Sequence, residues 1–211
     1  MPTKTRGKPG RQDATHRRMQ ILHAAFGCCT RKGLAAMTMD DVAQAAQLSK
    51  GLPFYYFQSK GKLFLAMLDL FTAHIVDRTS AILESETSES RRLHDLCAVF
   101  VHTLTVDCTH PEMLIEFWAL ALRDRDVAER LAGVRSHMRS ALRETVRRGI
   151  QVGIFTCDDV DLAAESLYAA LIGIASQWVL GERANPGPLI EAAVSCALSK
   201  PKPGSDGGGD A

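Results

Sequence analysis

Apolar residues in this chain recur at spacings of three and four from Ile21 to Leu198, and no convincing stretch alternates apolar and polar side chains as a half-buried strand would. That pattern restricts the fold class to all-α, with about nine helices. Thr15 is placed to cap a first helix whose stripe is Ile21, Leu22, Ala25, Phe26 and Cys29, and Gly33 is placed to stop it. Thr38 with Asp41 three residues later reads as a capping box opening a short second helix, with Val42, Ala43 and Ala46 on its apolar face. Gln47-Leu48 makes a turn, Ser49 caps a third helix over Lys50–Phe57, and Ser59 caps a fourth. Longer helical periods follow over 60–82, 89–108, 111–123, 125–151, 159–181 and 186–198, separated by polar or proline-bearing breaks.

Charge divides the chain unevenly. Residues 1–62 hold 11 Lys/Arg against 3 Asp/Glu, and the remainder holds 14 against 21, although the whole nets only +1. A basic segment beside an acidic body suggests a nucleic-acid partner for the former. The expected organisation is a disordered basic arm over 1–14, a small helical head over 15–62, a helical body over 63–199 and a disordered glycine-rich tail over 200–211. No run of about 18 uninterrupted apolar residues is present, and no apolar segment follows the basic start, so neither a transmembrane helix nor a signal peptide is expected. The six cysteines, two of them adjacent and none in a CxxC spacing, then read as reduced thiols in a cytoplasm rather than a disulfide or zinc framework.

Two short helices across a tight turn, the second rich in basic and aromatic residues, form a helix-turn-helix signal. A capped helix start aims backbone N–H groups and a positive dipole end at phosphate. Small residues at Ala43, Ala45 and Ala46 let the pair pack closely. Lys50, on the first turn of the third helix, is expected to enter the major groove, while Tyr55, Tyr56 and Lys60 supply donors to flanking phosphates.

The run from Thr38 to Lys60, TMDDVAQAAQLSKGLPFYYFQSK, resembles the signature of the tetracycline-repressor (TetR/AcrR) family of transcriptional regulators. The resemblance implies a ligand-responsive DNA-binding regulator, in most members a repressor, that binds a palindromic operator as a homodimer and is released by a small-molecule effector. Residue by residue, it assigns Thr38 to a phosphate and Lys50, Gly51 and Leu52 to base edges, with Ser49 at the start of the recognition element and Gly51 permitting close backbone approach. Tyr56 and Lys60 would hold phosphates, Tyr55 would pack or hold one, and Val42 and Phe57 would pack. The last two long helices, about Asp159–Leu180 and Pro186–Leu198, would pair with those of a second copy, helped by Ala169, Ala170, Leu171, Gly173 and Ala175. Phe117–Asp124 more faintly resembles regulators of the choline–betaine type.

Three positions depart from the signature. Gln47 stands where the turn glycine is usual, so the backbone there must avoid a positive φ or tolerate its cost. Phe54 replaces a tyrosine and loses a hydroxyl. Pro53 replaces an aliphatic residue, removes a backbone donor and disfavours helical geometry at Leu52, which shifts where the recognition helix begins.

In the body, Met113, Phe117, Trp118, Tyr168 and Trp178 are the candidates to line an effector cavity. Such residues at helical spacing also build ordinary cores, and the residues alone do not choose between a cationic ligand held over aromatic faces and a planar apolar one. Asp158, Asp159 and Asp161 read as a helix cap rather than a cation site, and His94, His102 and His110 stand too far apart along a helix to hold one ion. No nucleophile elbow, phosphate loop or metal-ligand spacing occurs, so neither catalysis nor a cofactor or metal is expected.

Overall fold

A computed structural model describes residues 11–105, 111–181 and 185–198. Among them are nine helices and no extended strand: α1 (Arg11–Ala36), α2 (Met39–Ala45), α3 (Leu52–Phe57), α4 (Lys60–Glu84), α5 (Glu89–Thr105), α6 (Met113–Ala121), α7 (Arg125–Gln151), α8 (Val160–Val179) and α9 (Gly187–Ala197). Five begin on a side chain that accepts an otherwise orphaned N–H: Thr38 for α2, Ser59 for α4, Ser88 for α5, Asp124 for α7 and Asp159 for α8. Asp159 accepts from the backbone N–H groups of Asp161 and Leu162, so the acidic cluster there is indeed a cap.

Helix α1 starts at Arg11, four residues before the expected cap, and Thr15 lies inside it. The remainder of the expected arm, residues 1–10, falls outside the described residues, as do His110 and the expected tail. Gly33 interrupts α1 with φ 77° and ψ 158°, a region essentially reserved for glycine, and turns the chain towards α2.

Two buried clusters organise the packing. One joins Ile21, Leu22, Phe26, Met37, Val42 and Phe57 of the head to Leu63, Met67, Met113, Phe117 and Val127. The other fills the body with Leu93, Leu96, Phe100, Leu142, Leu167 and Leu171 from α5, α7 and α8. Helix α4 runs through both, and Phe71 packs against each. The head is therefore not sealed off at residue 62, because α6 and the start of α7 complete its core.

Helix α8 reaches the length and hydropathy of a membrane span by composition, yet it packs on α5, α7 and α9. Leu171 and Ala175 are consumed by the chain's own core, which removes them from the expected contact with a second copy. Its opposite side carries exposed Leu162 and Leu180, with Ala169 and Gly173 between them, and an added Cβ at Gly173 would meet nothing.

Candidate nucleic-acid interface and body cavity

The head's geometry begins at the capping box. The Thr38 hydroxyl accepts from the Asp41 N–H at 3.1 Å, and the Thr38 N–H donates to the Asp41 carboxylate at 3.0 Å. Lys32 donates to that carboxylate at 2.7 Å, tying α1 to α2, and with the two Thr38 bonds lowers the Asp41 pKa to about 2. Gln20 adds a second tie, from its side-chain amide to the Ala46 carbonyl at 2.8 Å.

The turn after α2 is closed by Gln47 N–H to Gln44 O and Leu48 N–H to Ala43 O, the bond pair of a Schellman motif with Gln47 in the left-handed position at φ 56°. The chain thus adopts the glycine-favouring geometry without the glycine. Helix α3 then starts at Leu52, two residues later than Lys50. Ser49 does not cap it; the Ser49 carbonyl accepts from the Leu52 N–H, and Gly51 holds the cap position with no side-chain bond. Pro53 sits in the first turn, where its missing donor costs nothing and its fixed φ suits the helix. Lys50 therefore stands in the turn rather than on the helix, its side chain 84% exposed and 3.2 Å from the less exposed Asp40.

Past α3, Gln58 takes φ 64° and ψ −35° while the Ser59 N–H bonds the Phe57 carbonyl, a γ-turn of the rare, strained kind. Between these two turns α3 buries Pro53 and Phe57 and exposes Phe54 and Tyr55. Tyr55 meets the half-buried Tyr56 edge-on at 5.3 Å. Arg18 covers the Phe57 ring at 5.1 Å, which brings a cation of α1 to the same end of the head. Gly51 has an ordinary φ of −78°, and an added Cβ would meet nothing, so the fold itself does not require glycine there. The Lys60 ammonium donates to the Ala35 carbonyl at 2.7 Å and lies over the Phe64 ring, holding the end of α1 to α4.

In the body, a cavity of about 360 Å³ opens between α4, α5, α6, α7 and α8, within the range of small-molecule sites. Of the five expected lining residues, Trp118 and Tyr168 line it. Met113 and Phe117 do not; both are fully buried in the head cluster, and Phe117 packs on Phe71 at 5.7 Å. Trp178, near the end of α8, is not among the lining residues either. Phe71, Thr72, Phe100, Leu104 and Arg135 line it and were not anticipated. Phe71 and Phe100 lie on the apolar faces of separate helices, and only the tertiary arrangement brings them together. Burial raises the Tyr168 pKa above its ordinary value, against a smaller opposing effect of Arg135.

Helix α6 serves both regions. Leu114, Trp118 and Ala121 face the cavity, Met113, Phe117 and Leu120 face the head cluster, and Ala121 touches that cluster as well. Each set repeats at i, i+4 and i+7, which places the two on adjoining stripes of one helix.

Residues 21–67 match the family described as "Bacterial regulatory proteins, tetR family", and residues 89–199 match "BetI-type transcriptional repressor, C-terminal". The chain belongs to the TetR family. It is a DNA-binding transcriptional regulator, in agreement with the resemblance carried by residues 38–60. Among curated TetR-like relatives, the nucleoid occlusion factor SlmA of Pasteurella multocida is 28% identical over 90 residues, 42% of this chain and 45% of that one, so this chain aligns with less than half of that relative. The HTH-type transcriptional regulator BetI of Rhizobium meliloti is 26% identical over 161 residues, 75% of each. A transcriptional regulator from Saccharomonospora viridis, solved in complex with choline, shares the fold at TM-score 0.75 and 21% identity, covering 85% of this chain and 94% of that one.

Proposed function

We propose that this TetR-family chain is a cytoplasmic repressor that binds a palindromic operator as a homodimer, and that a small molecule in the α4–α8 cavity releases it. It acts by binding, with no catalytic step. Residues 15–62 form the DNA-binding head and 63–199 the effector and dimer body. Thr38, Ser49, Lys50, Gly51, Leu52, Tyr55 and Tyr56 form the DNA-facing edge. Lys60 belongs to the same edge as a phosphate-holding cation, and in the free chain it also ties α1 to α4. The outward stripe of α8 with Leu162, Ala169, Gly173 and Leu180, together with Leu189 of α9, meets its copy in the partner.

The observation that carries this reading is the shared helix α6. A ligand that fills the cavity presses on Leu114 and Trp118, and the same helix carries Met113 and Phe117 of the head's core. Occupancy and head position are then linked, and a ligand preferring one head spacing lowers affinity for an operator matched to another. In a two-fold dimer the half-site centres lie about 34–36 Å apart or a multiple of it.

The test is selection of genomic fragments by the purified protein at moderate salt, followed by fluorescence anisotropy on the enriched site. One enriched palindrome is expected. Lys50→Ala weakens binding to that site selectively, and Tyr56→Phe weakens binding to every sequence. Weak, salt-sensitive binding without an enriched site, or unchanged affinity in both variants, overturns the assignment.

A further inference from the structure

The charges around the body cavity restrict what the proposed effector site can hold; this inference rests on the reading of that cavity as the effector site. Helix α7 carries seven arginines, and six of them meet a carboxylate: Arg125 with Glu129, Arg130 with Asp69, Arg139 with Glu165, Arg143 with Asp161, and Arg147 and Arg148 with Glu144. Arg135 alone has no ion pair or hydrogen bond among the described residues, and it is the α7 arginine that lines the cavity. No Asp or Glu stands among the described lining residues. The rest of the wall is apolar or aromatic, with Phe71, Phe100, Trp118 and Tyr168 contributing rings. The Tyr168 hydroxyl likewise has no hydrogen-bond partner among the described residues.

We propose that the cavity takes a compact, flat apolar molecule bearing one negative charge, an aromatic carboxylate in its simplest form, with Arg135 holding the carboxylate. The apolar body displaces water from the aromatic walls, which supplies most of the affinity. The guanidinium is exposed, so the anion keeps part of its hydration while gaining a charge-assisted, fork-shaped pair of hydrogen bonds. A quaternary ammonium would find ring faces, but it would also meet an unneutralised cation with no lining carboxylate to offset it. The charge pattern therefore sets this cavity against cations, in contrast to the choline held by the Saccharomonospora viridis regulator.

Isothermal titration of the full-length protein with three probes sharing one ring system tests this: 2-naphthoate, the neutral 2-naphthamide and (2-naphthylmethyl)trimethylammonium. Naphthoate is expected to bind about tenfold more tightly than the amide, and the ammonium more weakly than either. Arg135→Gln should close the naphthoate–amide gap while leaving the melting temperature and the amide affinity in place. An amide or ammonium that binds wild type as tightly as naphthoate, or a gap that survives Arg135→Gln, overturns the charge assignment. Ala132→Trp, which fills the cavity, separates the two levels. If the probes bind without charge preference and Ala132→Trp abolishes their binding, the effector cavity stands and the anion inference falls. If no probe binds up to millimolar concentration, or binding survives Ala132→Trp, the cavity reading falls and the inference with it.

Discussion

Gln47 gives the turn of the helix-turn-helix a measurable internal cost. Its φ of 56° lies in the left-handed region, where a side chain with a Cβ loses roughly 1–2 kcal/mol relative to right-handed geometry. Gln47 is exposed and its side chain makes no hydrogen bond among the described residues, so replacing it forfeits no contact. Gln47→Gly removes the steric cost, while the freer unfolded chain returns about 0.4–1 kcal/mol of it. The net expectation is a gain of about 0.5–1 kcal/mol, or about 1–4 °C in Tm for a chain of this size. Gln47→Ala keeps the Cβ and should lie within about 0.5 kcal/mol of wild type. Gln47→Val, with a β-branched side chain in the left-handed region, should lose about 1 kcal/mol or more. Melts by far-UV circular dichroism at one fixed protein concentration give the order, since self-association would shift Tm with concentration. The expected ranking is Gly above Gln and Ala, with Val last. A Gly variant no more stable than the Ala variant would refute the argument that the turn is strained.

Gly149→Ala should destabilise the body by about 1–3 kcal/mol, because an added Cβ would run into the ring of Phe155; Phe155→Leu in the same chain should recover part of the loss in thermal melts. The Asp41 carboxylate, held near 2 in the folded head against an ordinary value of 3.8, stabilises the fold above its ordinary value and loses that contribution as pH falls towards about 2. The stability gap between wild type and Asp41→Asn should accordingly shrink between roughly pH 5 and pH 2, and a constant gap in acid titrations would contradict the Lys32–Asp41–Thr38 arrangement as its source. Ala169→Glu, on the outward side of α8, should shift the protein towards monomer in sedimentation velocity while leaving its helical signal unchanged; an unaltered sedimentation coefficient would remove α8 from the interface.

The helices were legible because their signals are local. Capping residues Thr38, Ser59 and Asp159 and the three-four spacing act over a single turn, and the long helices end within a few residues of where those signals place them. The start of α3 was harder to read. Ser49 has the composition of a cap, but it contributes its carbonyl rather than its hydroxyl, and Pro53 suits a helix that opens only at Leu52. The cavity was legible only in part, because adjacent residues on a helix differ by about 100° in direction. Phe117 and Trp118 are neighbours in sequence, yet one completes the head and the other faces the cavity. Which stripe of α6 meets which core depends on how α4, α5, α7 and α8 converge, and that is a non-local property. The exception of Arg135 is invisible in the sequence for the same reason: its neighbours' partners come from α4 and α8 as well as from α7 itself.

Helix α3 has six residues and is framed by two left-handed glutamines, so little of its stability is its own. Pro53 and Phe57 anchor it, and the ties among α1, α2 and α4 set its orientation. Its outward positions, Gly51, Phe54 and Tyr55, are thereby relieved of structural duty. Over evolutionary time this separates two kinds of inheritance in one short segment. The anchored side preserves the head, while the outward side is free to acquire a new operator preference by single substitutions, without an intermediate that fails to fold.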